Sequence, residues 1–571
     1  MSTLRISGIA SGLDTETMVK DLMKAERVKL DKYTQNRQLM QWRQEQYNSI
    51  NKDFANFIID MRKELELTKT SYSGVISSNS ISNLSWVKKA TSSDENFFTA
   101  SATASAMSGT HKIKVNQLAE GVNIASKSAV MAGENQAATS TLLKDIGVDF
   151  GVDDAETRTL EFELNISGTP TPVQITYDAS DTIESFVQKI NNATANDSEN
   201  TPLGLQASFD DTTGRLFMST KGTGEAAQIK ITSDDQGLFT GVANIFQLNA
   251  SDDSPILTVG AVKTGKDAEI EFDGAMGLKY SSNAFTINGI QINLKASSAS
   301  EFTVSVDTDV DGVYNKIKSF VDKYNELIVK MNGIISEKRY KDYLPLTQEQ
   351  REALSEDEIT KWEEKAKSGL LKNDEFITRT LDTMRRGLYE KVEGINGGYN
   401  ILTSIGITTA EWTDSKDGEL IIDETKLKNA IAEDVDGVLN LLFKQSSITG
   451  SDSSLTKEEK ETKRKESGLI MRLFDDVVVG MKDIISKSGT GNNAGLYRSV
   501  QSSILIDFVT NMGSISYLDK DLNDVDKVLI REEDRLASKE EAYWAKFTAM
   551  EKALQEMNSQ SSWLTQQFSS M

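Results

Sequence analysis

Apolar residues recur at alternating steps of three and four near both ends of this chain and at every second position in its middle, so helical flanks around a β-rich centre are predicted. Near the start, Asp14 or Thr15 can accept hydrogen bonds from the free amides of a first turn, and Glu16 suits the positive end of the helix dipole. A helix is therefore expected from Thr15. Met18, Val19, Leu22 and Met23 line one side of it. Tyr47, Ile50, Phe54, Phe57 and Met61 then repeat with the spacing of a narrow, coiled-coil-like seam. The other end mirrors this with Ile515, Leu518, Leu522, Val525 and Leu529, and again with Tyr543, Phe547, Met550, Leu554 and Met557. Between the two runs the frame slips: Leu536, Tyr543 and Phe547 imply a stutter, with Glu532 and Lys539 at expected apolar sites. A change of supercoil or a bend is predicted there.

The strictest heptad block is Val313, Ile317, Phe320, Tyr324, Leu327, Met331 and Ile334, widened by Val321, Ile328 and Ile335 into a stripe that several partners must cover. Thr347 with Gln350 and Ser355 with Glu358 fit capping boxes, which predicts helices over 347–390. The charge run 456–466 reads as a solvated loop or helix end. In the middle, Leu160, Phe162, Leu164 and Ile166 alternate, as do Val173, Ile175 and Tyr177. Asp181 and Glu184 are candidate caps for a short helix carrying Ile183, Phe186, Val187 and Ile190. Strands are expected to resume at Leu203 to Phe209, turn at Asp210 to Gly214, and continue through Leu216, Met218, Ile229 and Ile231. Residues 91–110, rich in Ser, Ala and Thr, read as a linker or an edge strand leading into 112–118. All five prolines (Pro170, Pro172, Pro202, Pro255, Pro345) fall in the centre, leaving both flanks free of the strongest helix breaker.

Composition narrows the function. A chain of 571 residues exceeds one ordinary domain, and 38% hydrophobic with 26% charged residues is the make-up of packed, water-facing proteins. A net charge of -23 argues against a nucleic-acid backbone as partner and leaves proteins. No apolar run is long enough for a membrane span. Without cysteine there are no disulfides or thiolate metal sites, and the first residues lack the basic start and apolar core of a cleaved signal.

Candidate chemistry is sparse. Gly260, Gly265 and Lys266 imitate a phosphate loop, but Asp267 stands where a magnesium-binding hydroxyl belongs. Gly222, Gly224 and Ala227 loosely fit a dinucleotide fingerprint, yet a strand follows where a helix is required. Asp307, Asp309, Asp311 and Gly312 resemble half a calcium loop whose bidentate position falls on Lys318. His111, the single histidine, is placed on the surface or an edge strand. No catalytic, cofactor-binding or metal-ligating residue is assigned, so cofactors are none and an enzyme is not expected. The candidate functional surface is the set of heptad faces: Met18, Val19, Leu22, Met23, Tyr47, Ile50, Phe54, Phe57 and Met61 from the first helix, with Leu518, Leu522, Val525, Leu529, Tyr543, Phe547, Met550, Leu554 and Met557 from the last. The competing reading is packing within one bundle.

Ordered segments of this chain resemble the flagellar filament cap family, the capping hook-associated proteins. The opening Ile6, Ser7 and Gly8, then SGLDT at 11–15, Val19, Leu22, Met23, Glu26 and Arg27 resemble its N-terminal signature, with Lys29 where proline is frequent. GTHKIKVNQLA at 109–119 is similar to the first strand after the family's N-terminal helices, and 173–232 resembles an insertion shared with flagellin variable domains. FVDKYNELI at 320–328 and LTSIGIT at 402–408 resemble C-terminal signatures. KRYKDYLPLT at 338–347, with Trp362 and 367–374, is similar to Gram-positive members.

The resemblance implies an α+β fold in which N- and C-terminal coiled-coil helices pair and, with a helical bundle, form a leg below inserted β-rich head domains. The expected division is 1–45 with 530–571 for the terminal leg, 46–75 with 310–529 for the helical domain, 76–130 with 262–309 for one head domain, and 131–261 for a second. It further implies a secreted, homo-oligomeric ring at the distal tip of the filament, a pentamer first with a tetramer or hexamer as alternatives. That ring would retain flagellin and help it fold and insert. Flagellin, hook–filament junction proteins and a flagellar export chaperone are the implied partners, with no nucleic acid and no membrane span. A junction or filament subunit, and a secreted adhesin or glycan-binding protein, are the rival readings.

Overall fold

The computed structural model describes residues 12, 14–71, 76–166, 169–241, 243–249, 257–395, 398–410, 418–448, 454–489 and 516–569. Ile515, Pro255 and the signature residues Ile6, Ser7, Gly8, Ser11 and Leu13 lie outside them. Its helices are α1 (Thr15–Glu64), α2 (Ile183–Asn192), α3 (Val310–Ser336), α4 (Gln348–Glu352), α5 (Glu356–Lys367), α6 (Glu375–Tyr389), α7 (Glu424–Glu433), α8 (Val435–Phe443), α9 (Lys457–Glu466), α10 (Leu469–Ser488) and α11 (Tyr517–Ser569). The chain forms two compact units, Met1–Ile81 with Val310–Met571, and Ser82–Asp309. The fold is α+β, as expected.

The first unit is helical. Asp14 is the N-cap of α1, accepting from the Thr17 amide at 3.0 Å, and the helix then runs 50 residues, about 75 Å at ~1.5 Å per residue. Its second half packs against α3 and α10, where Phe57 meets Phe320 and Phe474 with ring centroids 6.3 and 6.1 Å apart. Both predicted capping boxes are present, at the starts of α4 and α5. The charge run is not a loop. It forms α9, opened by a further box between Thr456 and Glu459. Arg472, 1% exposed on α10, donates to the carbonyls of Gly387, Glu390, Arg464, Lys465 and Ser467 at 2.9–3.2 Å. It thereby satisfies the open C-terminal ends of α6 and α9 together.

Among its described residues the second unit is antiparallel β with one α-helix. A five-stranded sheet runs in the order Ala275–Tyr280, Ala268–Phe272, Gly109–Gln117, Phe302–Thr308, Lys88–Ser92, and a three-stranded sheet in the order Ala284–Ile287, Ile290–Leu294, Phe98–Ala102. Together they enclose one apolar core around Phe98, Ile113, Ile270, Ile292 and Val304. A separate core around Phe162, Tyr177, Phe186, Phe239 and Phe246 lies within two four-stranded sheets and α2. One of those sheets ends on the strand Thr169–Tyr177, where Pro170 and Pro172 are exposed.

Several boundaries and roles are corrected. Val122, Ile124 and Val130 belong to the second core, and Val262–Thr264 pairs with Gln228–Asp234, so the expected edges at 130 and 262 cut through packed structure. Ile76–Ser78 pairs with Thr68–Thr70, which keeps it in the helical unit. The cap of α2 is Thr182, not Asp181 or Glu184. Asp181 instead binds the Asp178 amide, the Ser185 hydroxyl and Lys189. His111 is 6% exposed on the central strand of five, not on an edge. Two of the nucleotide-like glycines serve close packing: a Cβ at Gly265 would lie 2.3 Å from the Glu120 carbonyl oxygen, and one at Gly224 would lie 2.7 Å from Ser281 Cα. Of the calcium-like residues, Asp311 pairs with Lys428 at 2.8 Å, while Lys318 lies inside α3.

Candidate assembly interface

The α1 and α11 helices pair antiparallel, because residue numbers rise along one as their partners fall along the other. Gln44 donates to Asp519 at 2.9 Å, Arg37 to Asp526 at 2.5 Å, Lys29 to Glu532 at 2.5 Å, and Arg535 to Glu26 at 2.8 Å. Near the start of α1 a small apolar cluster of Val19, Met23 and Leu536 is flanked by Leu30, Tyr543, Trp544 and Phe547.

At the predicted stutter α11 continues unbroken through Glu532 and Lys539. Both side chains are partners of α1. Glu532 holds Lys29 and Arg535, and Glu26 accepts from Arg535, from Lys539 at 3.1 Å and from the Tyr543 hydroxyl at 3.2 Å. The two carboxylates and their cations fill the part of the seam that the heptad leaves without apolar residues. Arg535, then Lys539, hold the Glu26 carboxyl down at about 2, and Lys29 and Arg535 lower that of Glu532.

The predicted interface residues divide by exposure. Tyr47, Ile50, Phe54, Phe57 and Met61 are buried in the unit's own core. Tyr47 also donates its hydroxyl to Asp374, the residue that caps α6, and burial and this carboxylate raise its pKa. As interface residues these five are corrected, because α3 and α10 already cover that part of α1. Val19, Met23 and Leu518 are also buried, and Leu522, Val525, Leu529, Tyr543, Phe547, Met550 and Leu554 are half-buried. Met18, Leu22 and Met557 are open, at 41, 40 and 57%.

From 555 to 569 every residue of α11 is exposed. The heptad carries on there beyond Met557 through Ser561 to Leu564 and Phe568, with Trp563 beside it. Glu26, Lys29 and Arg535 were missed. Their signal is the charge at slipped heptad positions, which only its partner helix explains. Among the described residues no group of three or more His, Asp or Glu could hold a metal ion, and no helix is long and apolar enough to cross a membrane.

Two family profiles match the chain, those described as Flagellar hook-associated protein 2 N-terminus, over residues 11–121, and Flagellar hook-associated protein 2 C-terminus, over 265–559. The flagellar hook-associated protein 2 of Halalkalibacterium halodurans is 30% identical over 589 residues, covering 99% of this chain and 100% of that relative. Its counterpart in Salmonella typhimurium is 24% identical over 440 residues and 76% of each chain. Among solved structures, the flagellar cap protein FliD of Escherichia coli is 17% identical, with a TM-score of 0.46, over 76% of this chain and 94% of that one. With both profiles in order and a relative matched from end to end, the chain belongs to the flagellar hook-associated protein 2 family.

Proposed function

We propose that this chain caps the distal tip of the bacterial flagellar filament as a homo-oligomeric ring, confining arriving flagellin and promoting its folding and insertion. It does so by enclosure and binding, without bond chemistry. The observation that carries this reading is the family match at both chain ends, whose helices pair and leave the far end of α11 as an open apolar heptad face. Met18, Leu22 and Met557, joined by Trp563, Leu564 and Phe568, meet neighbouring subunits or the filament. The half-buried run from Leu522 to Leu554 lines the leg between them.

Two separate apolar cores in the β-rich unit support two head domains, with the boundaries moved as described above. Flagellin, hook–filament junction proteins and an export chaperone are the partners. A five-subunit ring is the first expectation, with four or six as alternatives. The site of action is extracellular.

Deleting the gene tests the reading directly. Unpolymerised flagellin should appear in the medium, and purified protein should restore filaments. Normal filaments after deletion would refute it, and thousands of copies per filament would indicate a filament subunit instead. Leu522→Asp with Leu554→Asp should abolish filament growth while the β-rich unit stays folded. Normal filament length in that double variant would refute the leg assignment.

A further inference from the structure

The single histidine of the chain lies in the core-facing row of the central strand Gly109–Gln117, an expensive place for a polar ring unless both of its nitrogens are satisfied. They are. Nδ1 lies 2.7 Å from Asp273 Oδ2, Nε2 lies 2.9 Å from the carbonyl oxygen of Met107, and the ring stacks on Phe272 with centroids 5.5 Å apart and planes 17° apart. A carboxylate and a carbonyl are both acceptors. A neutral imidazole has one N–H and must turn a lone pair toward one of them, whereas an imidazolium donates to both.

The acceptors are fixed independently of the ring. Asp273 and Gly274 take positive φ of 49° and 85° between the strands Ala268–Phe272 and Ala275–Tyr280, the Asp-Gly signature of a tight hairpin turn. The other oxygen of Asp273 accepts from the Lys112 amide at 2.8 Å, and the Asp273 amide donates to the Lys112 carbonyl at 2.9 Å. On the far side, the loop carrying Met107 is held by Ala106 bonding to Thr103 at 3.0 Å, while Lys88 donates to the Ala106 carbonyl.

We infer that His111 is held as an imidazolium that pins the Asp273 turn to the loop before the central strand, so that this clasp loosens as pH rises. Of the charged groups brought by neighbouring elements, Asp273 is the one that meets the ring. Lys112 is engaged by Glu301, Lys114 by Glu271, and Lys88 by the Ala106 carbonyl, and the loop 103–108 carries no titratable side chain. The Asp273 carboxylate, then the Met107 carbonyl, raise the proton affinity of His111 against the opposing effect of burial. A group that binds its proton more tightly when folded stabilises the fold fully below its unfolded pKa, about 6.5 for histidine. That contribution is lost as pH climbs through the higher folded value.

The test uses the full chain with histidine labelled in ¹⁵N, where every ring signal belongs to His111. Both nitrogens should read as protonated at pH 6, with a titration midpoint above the ordinary histidine value. The protection factors of the Lys112 and Asp273 amides should fall over the same interval. Asp273→Asn, which keeps an acceptor for the Lys112 amide, should lower the midpoint, and His111→Phe, which keeps the stack, should flatten the pH dependence of protection. An unprotonated ring nitrogen at pH 6, or a midpoint unmoved in Asp273→Asn, would overturn the inference. Should His111→Phe fail to fold, the wild-type titration and Asp273→Asn decide it.

Discussion

The two halves of α1 carry similar apolar spacing and meet different fates. From Tyr47 to Met61 the helix supplies a deep core against α3 and α10, with Phe54 and Ile58 wholly buried. From Val19 to Arg37 it meets α11 across a seam with few buried apolar residues, held largely by ion pairs. The C-terminal half resembles a domain interior, and the N-terminal half resembles a contact that can be remade. The lesson is that heptad spacing specifies which side of a helix is covered, while the number of elements around it determines how firmly.

The difference can be broken from the core side first. Phe54→Ala should cost about 4 kcal/mol, the range for emptying a buried aromatic site, read as a lower thermal midpoint of the helical unit. Leu536→Ala, in the small cluster of the seam, should cost about 2 kcal/mol, and mainly raise amide exchange in α11 around it. An equal loss from both substitutions would erase the distinction.

Acid sharpens it next. The Glu26 carboxyl is depressed in the fold, so its contribution is present above the unfolded glutamate range and is lost as pH falls from about 4.3 toward its folded value of about 2. Dye labels on Val28→Cys and Asp534→Cys, clean because the chain has no native cysteine, should separate over that window and, with added salt, at higher pH. Phe568→Ser, on a side chain 75% exposed, should change stability by less than about 0.5 kcal/mol while removing a contact needed for assembly, measured by sedimentation and by filament restoration.

What could be read beforehand followed the reach of each signal. Capping boxes at Thr347 and Ser355 close within three residues, and the alternation of Leu160 to Ile166 is decided by immediate neighbours, so both were legible. The heptad of α3 was legible for the same reason, since a helix meets its stripe every turn. Glu532 looked like a fault because its partner Lys29 is 503 residues away in sequence. His111 was misplaced because alternation reports a strand but not whether others flank it on both sides. The charge run lacked apolar residues to phase it, although Thr456 and Glu459 already spelled the box that opens α9. The end of α11 was passed over where Ser561 interrupts the apolar series.

The border strand Thr169–Tyr177 has a bearing on crowding. Were several copies brought close together, a bare sheet margin would invite the strand of another molecule to add on and template a fibril. Pro170 and Pro172 present rings without a hydrogen to donate, so a foreign strand would find two broken rungs in succession at that margin. Under the proposed function, association through helices is thereby kept apart from polymerisation through sheets.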